Sequence, residues 1–246
     1  MFRNLNIATS MATFALLCMS SAYASDWSSV NYDYKNSRHN VDETILAPDN
    51  VDELTLLWAS DPLPGLVNVT PIVVNDVIYF GDSAGNLYAK SLNDGSDVYP
   101  SVNLGASIDG PVTVFENTLY ATSAELKLYA FNLDLTPKTA FNGGSVVIDP
   151  ASVGIAQVYA GPVVVENIVI IPTTSGGGEI YFNLFPTFHG SITAFSATTG
   201  AFLWRTPIVE VNEGAGGGAW SQLQWIQNLS RSISAQQTPF LLQLEI

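Results

Sequence analysis

The sequence predicts an all-β chain of repeated four-stranded antiparallel units, and three observations lead there. An eleven-residue frame recurs: residues 194–204 and 89–99 both carry Ala, Ser, Gly and an aromatic at positions one, three, seven and eleven (Ala194, Ser196, Gly200, Trp204; Ala89, Ser91, Gly95, Tyr99). A third, decayed copy at 130–140 keeps Ala130, Asn132 and Thr136-Pro137 but lacks the glycine and the aromatic. Short apolar runs open after prolines at regular distance, with 40 residues from Pro71 to Pro111 and 51 from Pro111 to Pro162, the excess falling mostly between Ser175 and His189. Finally, Gly, Pro, Asn and Asp come too often for long helices. Four short strands per unit at a period of roughly forty to fifty residues is the spacing of a β-propeller. A β-sandwich would not require an eleven-residue frame to return at matching places.

Taken in order, residues 1–24 have the form of a secretory signal: Arg3 is the positive start, residues 7–19 are apolar, and Ala22-Tyr23-Ala24 is a small-x-small cleavage site, so the mature chain is expected to begin at Ser25. The apolar stretch is too short to span a bilayer. These features predict a periplasmic or secreted protein with no membrane span. The one cysteine, Cys18, lies inside that signal and follows Leu17, a residue unsuited to lipidation, so the mature chain is expected to carry no thiol or disulfide. Residues 26–60 form an extended lead-in in which Leu54, Leu56 and Trp58 predict a strand ending at Trp58. The first unit has strands at 72–74 and 77–80 around Asn75-Asp76, then 87–91, then the Asn93-Asp94-Gly95 turn. The second opens at Gly110-Pro111 with strands at 119–121 and 128–131, and the third at Gly161-Pro162 with strands at 163–165 and 168–171. Its last hairpin places Ile192 and Ala194 on one side of Thr199-Gly200, and Phe202 and Trp204 on the other.

A chain of 246 residues that is 47% hydrophobic and 12% charged can bury a full core. Its formal net charge of −14 argues against nucleic acid and anionic membrane surfaces, since phosphate contacts need clustered Lys and Arg. Two histidines and no mature cysteine make a zinc site improbable. Gly81-Asp82-Ser83-Ala84-Gly85 matches the G-x-S-x-G nucleophile pattern, but a strand follows it where an elbow needs a helix, so a hairpin turn is expected. The glycine runs 176–178 and 214–218 lack the Lys-Ser/Thr of a phosphate-binding loop.

The frame of Ala, Ser or Asp, Thr-Gly and Trp resembles the tryptophan-docking repeat of the pyrroloquinoline quinone (PQQ) dehydrogenases, secreted propellers that oxidise alcohols or sugars. The likeness extends over the lead-in from Trp27 to Trp58 with Asn36-Ser37-Arg38, over 70–89, and over 189–204 followed by the glycine run to Trp220. The runs 189–204 and 214–220, in that order, are most similar to the polyvinyl alcohol dehydrogenase branch. The resemblance implies PQQ and calcium as cofactors, a small or polymeric alcohol as substrate, and an electron acceptor such as a cytochrome. It also implies site residues: Glu179, after Ser175-Gly176-Gly177-Gly178, as a calcium ligand, and Trp220 as an aromatic of the quinone-binding tunnel.

The family's further ligands and its catalytic aspartate come from blades after Trp220, where the repeat stops. From Gln222 onward the composition changes, with six of the chain's seven glutamines. The expectation is a partial PQQ-type propeller over 25–221, about three blades of a ring of about eight, followed by a foreign tail over 222–246, as a shifted frame or premature stop would produce. Such a chain is expected to be inactive alone. The alternative is a non-enzymatic propeller-repeat scaffold for binding or assembly, which would have no need of Glu179 or the glycine run before Trp220.

Overall fold

The computed structural model describes residues 26–150, 156–175, 190–208, 218, 219, 221 and 223. Among them the chain forms three four-stranded antiparallel sheets. The first holds β1 (Ile72–Val74), β2 (Val77–Gly81), β3 (Asn86–Ser91) and β4 (Asp97–Asn103), in that order from one edge to the other. The second holds β5 (Thr113–Phe115), β6 (Thr118–Ser123), β7 (Lys127–Phe131) and β8 (Ser145–Val147). A two-stranded ladder pairs β9 (Ala156–Gln157) with β12 (Thr174–Ser175), and the third sheet runs β10 (Val163–Val165), β11 (Ile168–Pro172), β13 (Ser191–Ser196), β14 (Phe202–Pro207). The helical structure described consists of two single 3₁₀ turns, Val51–Glu53 and Asn142–Gly144.

The recurring frame has a direct structural meaning. Position one pairs with position eleven across the outer hairpin, Ala89 with Tyr99 and Ala194 with Trp204. Positions three and seven close the turn, with the Gly95 N–H donating to Ser91 O and the Gly200 N–H to Ser196 O, both at 2.9 Å. In the decayed copy Thr136 replaces the glycine, the Asn132 N–H donates to Thr136 O instead, and the outer strand β8 starts only at Ser145 after the Asn142–Gly144 turn. The inner hairpins are two-residue turns: Asn75-Asp76 and Glu166-Asn167 have positive φ at both residues, the geometry that matches strand twist.

Strand alternation sends side chains to both faces of the middle sheet. Leu119, Ala121 and Phe131 meet Ile72, Tyr79, Leu87 and Ala89 of the first sheet, in a cluster that Tyr99 joins. Tyr120, Leu128 and Ala130 point the other way, to Val169, Ile171 and Phe195 of the third. Burial on both faces against neighbours is how a propeller blade is stabilised. Tyrosine hydroxyls add bonds between sheets, from Tyr79 to Leu133 O and from Tyr120 to Ala197 O, both at 2.9 Å. The far face of the third sheet is buried as well, with Val163, Val165, Ile170, Ile192 and Ala194 packed with Leu223, Tyr34 and Trp204. Tyr99 therefore joins the packing between the first and second sheets, while Trp204 packs on the far face of the third with Tyr34 and Leu223.

The lead-in departs from expectation. Residues 54–59 are extended but belong to no ladder, and Leu54, Leu56 and Leu57 are 63%, 83% and 76% exposed. Alternation of apolar residues predicts a strand, but a strand needs a partner edge, and no described residue supplies one. Trp58 is nevertheless held: its indole N–H donates to Leu92 O at 2.8 Å, and its ring lies against Gly95. A Cβ at Gly95 would lie 2.6 Å from Trp58 Cε3, and the residue's φ of +72° also favours glycine. Further upstream, Trp27 and Val73 exchange backbone bonds of 2.7 and 3.0 Å, and the Val114 N–H donates to Ser28 O at 2.7 Å. The lead-in thus crosses the inner edges of β1 and β5.

Candidate functional site

Antiparallel order places three kinds of connection at one end of the sheets: the segments preceding β1, β5 and β10, the β2–β3 and β6–β7 turns, and the point where the chain leaves β12. The connections of the three sheets meet at this end, the mouth. Two or three residues ahead of each opening proline stand Asn68, Asp109 and Tyr159. With Asn31 of the lead-in and the backbone around Gly161, they line a cavity of about 230 Å³. Asp109 Oδ1 accepts the Ser107 hydroxyl. Burial and then the charge of Asp109 push the Tyr159 phenol above its ordinary pKa, so it stays a protonated donor at neutral pH. At the mouth end of β6, Thr122 Oγ1 and Ser123 Oγ are buried with no hydrogen-bond partner among the described residues. Asn68, Asp109 and Tyr159 belong to no motif in the sequence. Their signal was their equivalent place ahead of Pro71, Pro111 and Pro162.

Glu179 and Trp220 lie outside the described residues. What flanks them does not. β12, the last described strand before 176–189, is held by pairing with β9, and Gly218-Ala219 packs against its start. The Ala219 N–H donates to Thr173 O at 3.5 Å, and a Cβ on Gly218 would lie 2.8 Å from Thr174 Cβ. Thr173 is itself buried, its hydroxyl accepting the Ser191 N–H at 3.0 Å. The glycine that precedes Ala219-Trp220 is therefore needed for close approach to the strand that leads to Glu179.

The G-x-S-x-G segment is the β2–β3 turn, as expected. Asp82 is fully buried and accepts the N–H groups of Ala84 and Asn86 at 2.9 Å and the Tyr88 hydroxyl at 2.8 Å. Burial pulls its pKa up, but the bonds from Asn86, Tyr88 and Gly65 outweigh it and hold the carboxyl below its ordinary value. The Ser83 hydroxyl accepts the Leu66 N–H at 2.9 Å. Both side chains build the turn.

No known family's sequence profile matches the chain. The tetrathionate hydrolase of Acidithiobacillus ferrooxidans is 27% identical over 162 residues, 66% of this chain and 30% of that protein. The outer membrane protein assembly factor BamB of Salmonella typhimurium is 32% identical over 92 residues, 32% of this chain and 23% of that protein. Among solved structures, a quinohemoprotein alcohol dehydrogenase of Pseudomonas putida superposes with a TM-score of 0.66 at 23% identity, over 83% of this chain and 33% of its own. The quinohemoprotein alcohol dehydrogenase of Comamonas testosteroni gives 0.63 at 20% identity over 83% and 34%, and a europium-containing methanol dehydrogenase 0.64 at 15% over 83% and 41%. The chain shares their β-propeller fold. It spans 33–41% of the length of these structures and 30% and 23% of the two curated relatives.

The cofactors that this likeness suggests can be tested against the described residues. PQQ is a polycarboxylate, yet the cavity is lined by Asp109 and by no Lys, Arg or His. No group of three or more His, Cys, Asp or Glu able to hold a metal occurs among the described residues. These residues by themselves therefore fit neither the quinone nor calcium. Among them, no helix is long and apolar enough to cross a membrane.

Proposed function

We propose that this chain is the N-terminal part of a quinone-dependent alcohol dehydrogenase of the periplasm, of the polyvinyl alcohol dehydrogenase kind, and that by itself it is inactive. The observation that carries the proposal is the packing of Gly218-Ala219 on Thr173-Thr174. It joins the strand that runs up to residue 176 to the residue pair just ahead of Trp220. When bound, the quinone supplies a hydride acceptor for alcohol oxidation. Glu179 is proposed as a calcium ligand, but calcium takes six to eight oxygens and one carboxylate gives at most two. The three described sheets by themselves do not close a ring, so they do not complete the water-excluded, preorganised site on which catalysis depends.

The scaffold reading draws on the 92-residue match to BamB. It leaves the approach of Gly218 to Thr174 without a purpose. The longer match, to tetrathionate hydrolase, suggests a different chemistry and sets the control. Purified chain reconstituted with PQQ and calcium is assayed by dye-linked alcohol oxidation and, separately, for loss of tetrathionate. Neither substrate should turn over. Alcohol turnover abolished by Glu179→Ala would refute the inactivity and vindicate the ligand; tetrathionate turnover would refute the alcohol reading.

A further inference from the structure

The inner strand of each sheet ends in a two-residue turn, so the residue pair that closes the turn is hydrogen-bonded and the pair before it is not. The middle residues Val73, Val114 and Val164, opposite Ile78, Leu119 and Val169, therefore turn their N–H and C=O away from their own sheets. Trp27 takes both groups of Val73, and Ser28 O takes the Val114 N–H. The lead-in then turns, its Tyr32 N–H donating to Ser29 O at 3.1 Å, and Val164 is left without a partner for its outward groups among the described residues. A cavity of about 240 Å³ lies there, bordered by Ser28, Ser29, Tyr34, Val114, Phe115 and Val164. At a water's share of liquid volume it has room for about eight heavy atoms, about one leucine residue.

The lead-in ahead of the first sheet presents the converse, a strand without an edge. Residues 54–59 are extended and in no ladder, with Leu56 83% exposed. We propose that residues 54–57 of a second copy of this chain pair antiparallel with the free edge of β10, with Leu56 opposite Val164 and exchanging both backbone bonds as Trp27 does with Val73. Directly opposed residues share a face of a sheet. Leu56 thus follows the Val164 side chain, which belongs to the cluster that Phe115 joins, and fills the cavity. The partner is another copy because Trp58, two residues on, is tied to the β3–β4 turn of the first sheet, and the second sheet lies between that sheet and β10. Reciprocal exchange between two copies closes a dimer. The pairing segment, Leu54-Thr55-Leu56-Leu57, carries no charge, but each copy has a net charge of −14, so the contact is weak and tightens with salt. It is independent of the quinone reading.

The test combines sedimentation with amide hydrogen exchange of the purified full chain, in dilute and in concentrated solution and at low and high salt. Association should rise with concentration and salt, and with it the Val164 and Leu56 amides should exchange about tenfold more slowly, the worth of one hydrogen bond. A free peptide of residues 53–57 should dissociate the dimer. Val164→Pro removes the outward N–H at an edge position where proline is tolerated and should abolish association. Should that variant fail to fold, Leu56→Ser changes an exposed side chain and must weaken association and restore fast exchange at Val164. A chain that stays monomeric, association with Val164 exchange unchanged, association insensitive to Leu56→Ser, or protection appearing at β4 or β14 in place of β10 would each overturn the proposal.

Discussion

Replacing Asp82 by asparagine should destabilise the first sheet in a way that disappears in acid. In the wild type, Oδ1 takes the backbone N–H groups of Ala84 and Asn86 at 2.9 Å, while Oδ2 takes the Tyr88 hydroxyl at 2.8 Å and the Gly65 N–H at 3.2 Å. Asparagine keeps one oxygen and turns an amide toward donors that had an acceptor. Hydrogen bonds to a charged group contribute about 1.5–3 kcal/mol and neutral ones about 0.5–1.5, so the exchange should cost on the order of 1–2 kcal/mol. Asp82→Ala strands several buried donors at about 1–3 kcal/mol each, of which water can reach some at a turn, and about 3–5 kcal/mol is expected. A carboxyl whose pKa is lower folded than unfolded binds more protons when unfolded, so its stabilisation is present above the unfolded value and is lost as pH falls through the folded one. The difference between wild type and Asp82→Asn should therefore be full at pH 7 and shrink below about pH 4, the ordinary carboxylate value. Urea unfolding at fixed protein concentration, at both pH values, measures it. A variant as stable as wild type at pH 7, or a gap that persists undiminished in strong acid, would refute the assignment of Asp82 as a charged anchor.

Gly218→Ala should loosen the contact with Thr174, since a Cβ there cannot be accommodated without movement; faster amide exchange at β12 and β9 checks it, and unchanged protection would count against the packing. The exposed Leu54, Leu56 and Leu57 form an unpaired apolar edge, so the chain should self-associate. Sedimentation should show less association for Leu56→Ser/Leu57→Ser, and a wild type that stays monomeric at all concentrations would contradict this.

Much of the fold was legible because a propeller blade is a local object. Its hairpins close within a few residues, so Asn75-Asp76, Asn93-Asp94-Gly95 and Thr199-Gly200 could be read as turns, and β1, β3, β10 and β11 fall within a residue of their expected bounds. The strand expected to end at Trp58 failed for the complementary reason: alternation records a tendency to pair, whereas pairing needs an edge that other residues must bring.

Local physics by itself determined the strand periodicity, the turn positions, the eleven-residue frame and the all-β class, because each depends on residues near one another in the chain. Only tertiary structure decided that position one faces position eleven, that Tyr99 packs between two sheets while Trp204 covers the far face of the third, and that Trp58 rests on Gly95, 37 residues away. The candidate site belongs to the same category. Asn68, Asp109 and Tyr159 are unremarkable polar residues in three connections, and the packing of successive sheets brings them to one cavity. Gly218 reads as one glycine in a flexible run until Thr174 is placed against it. Sequence spacing predicts what a segment prefers, and contact between segments depends on how the sheets stack, a choice made by burial of both faces of each blade.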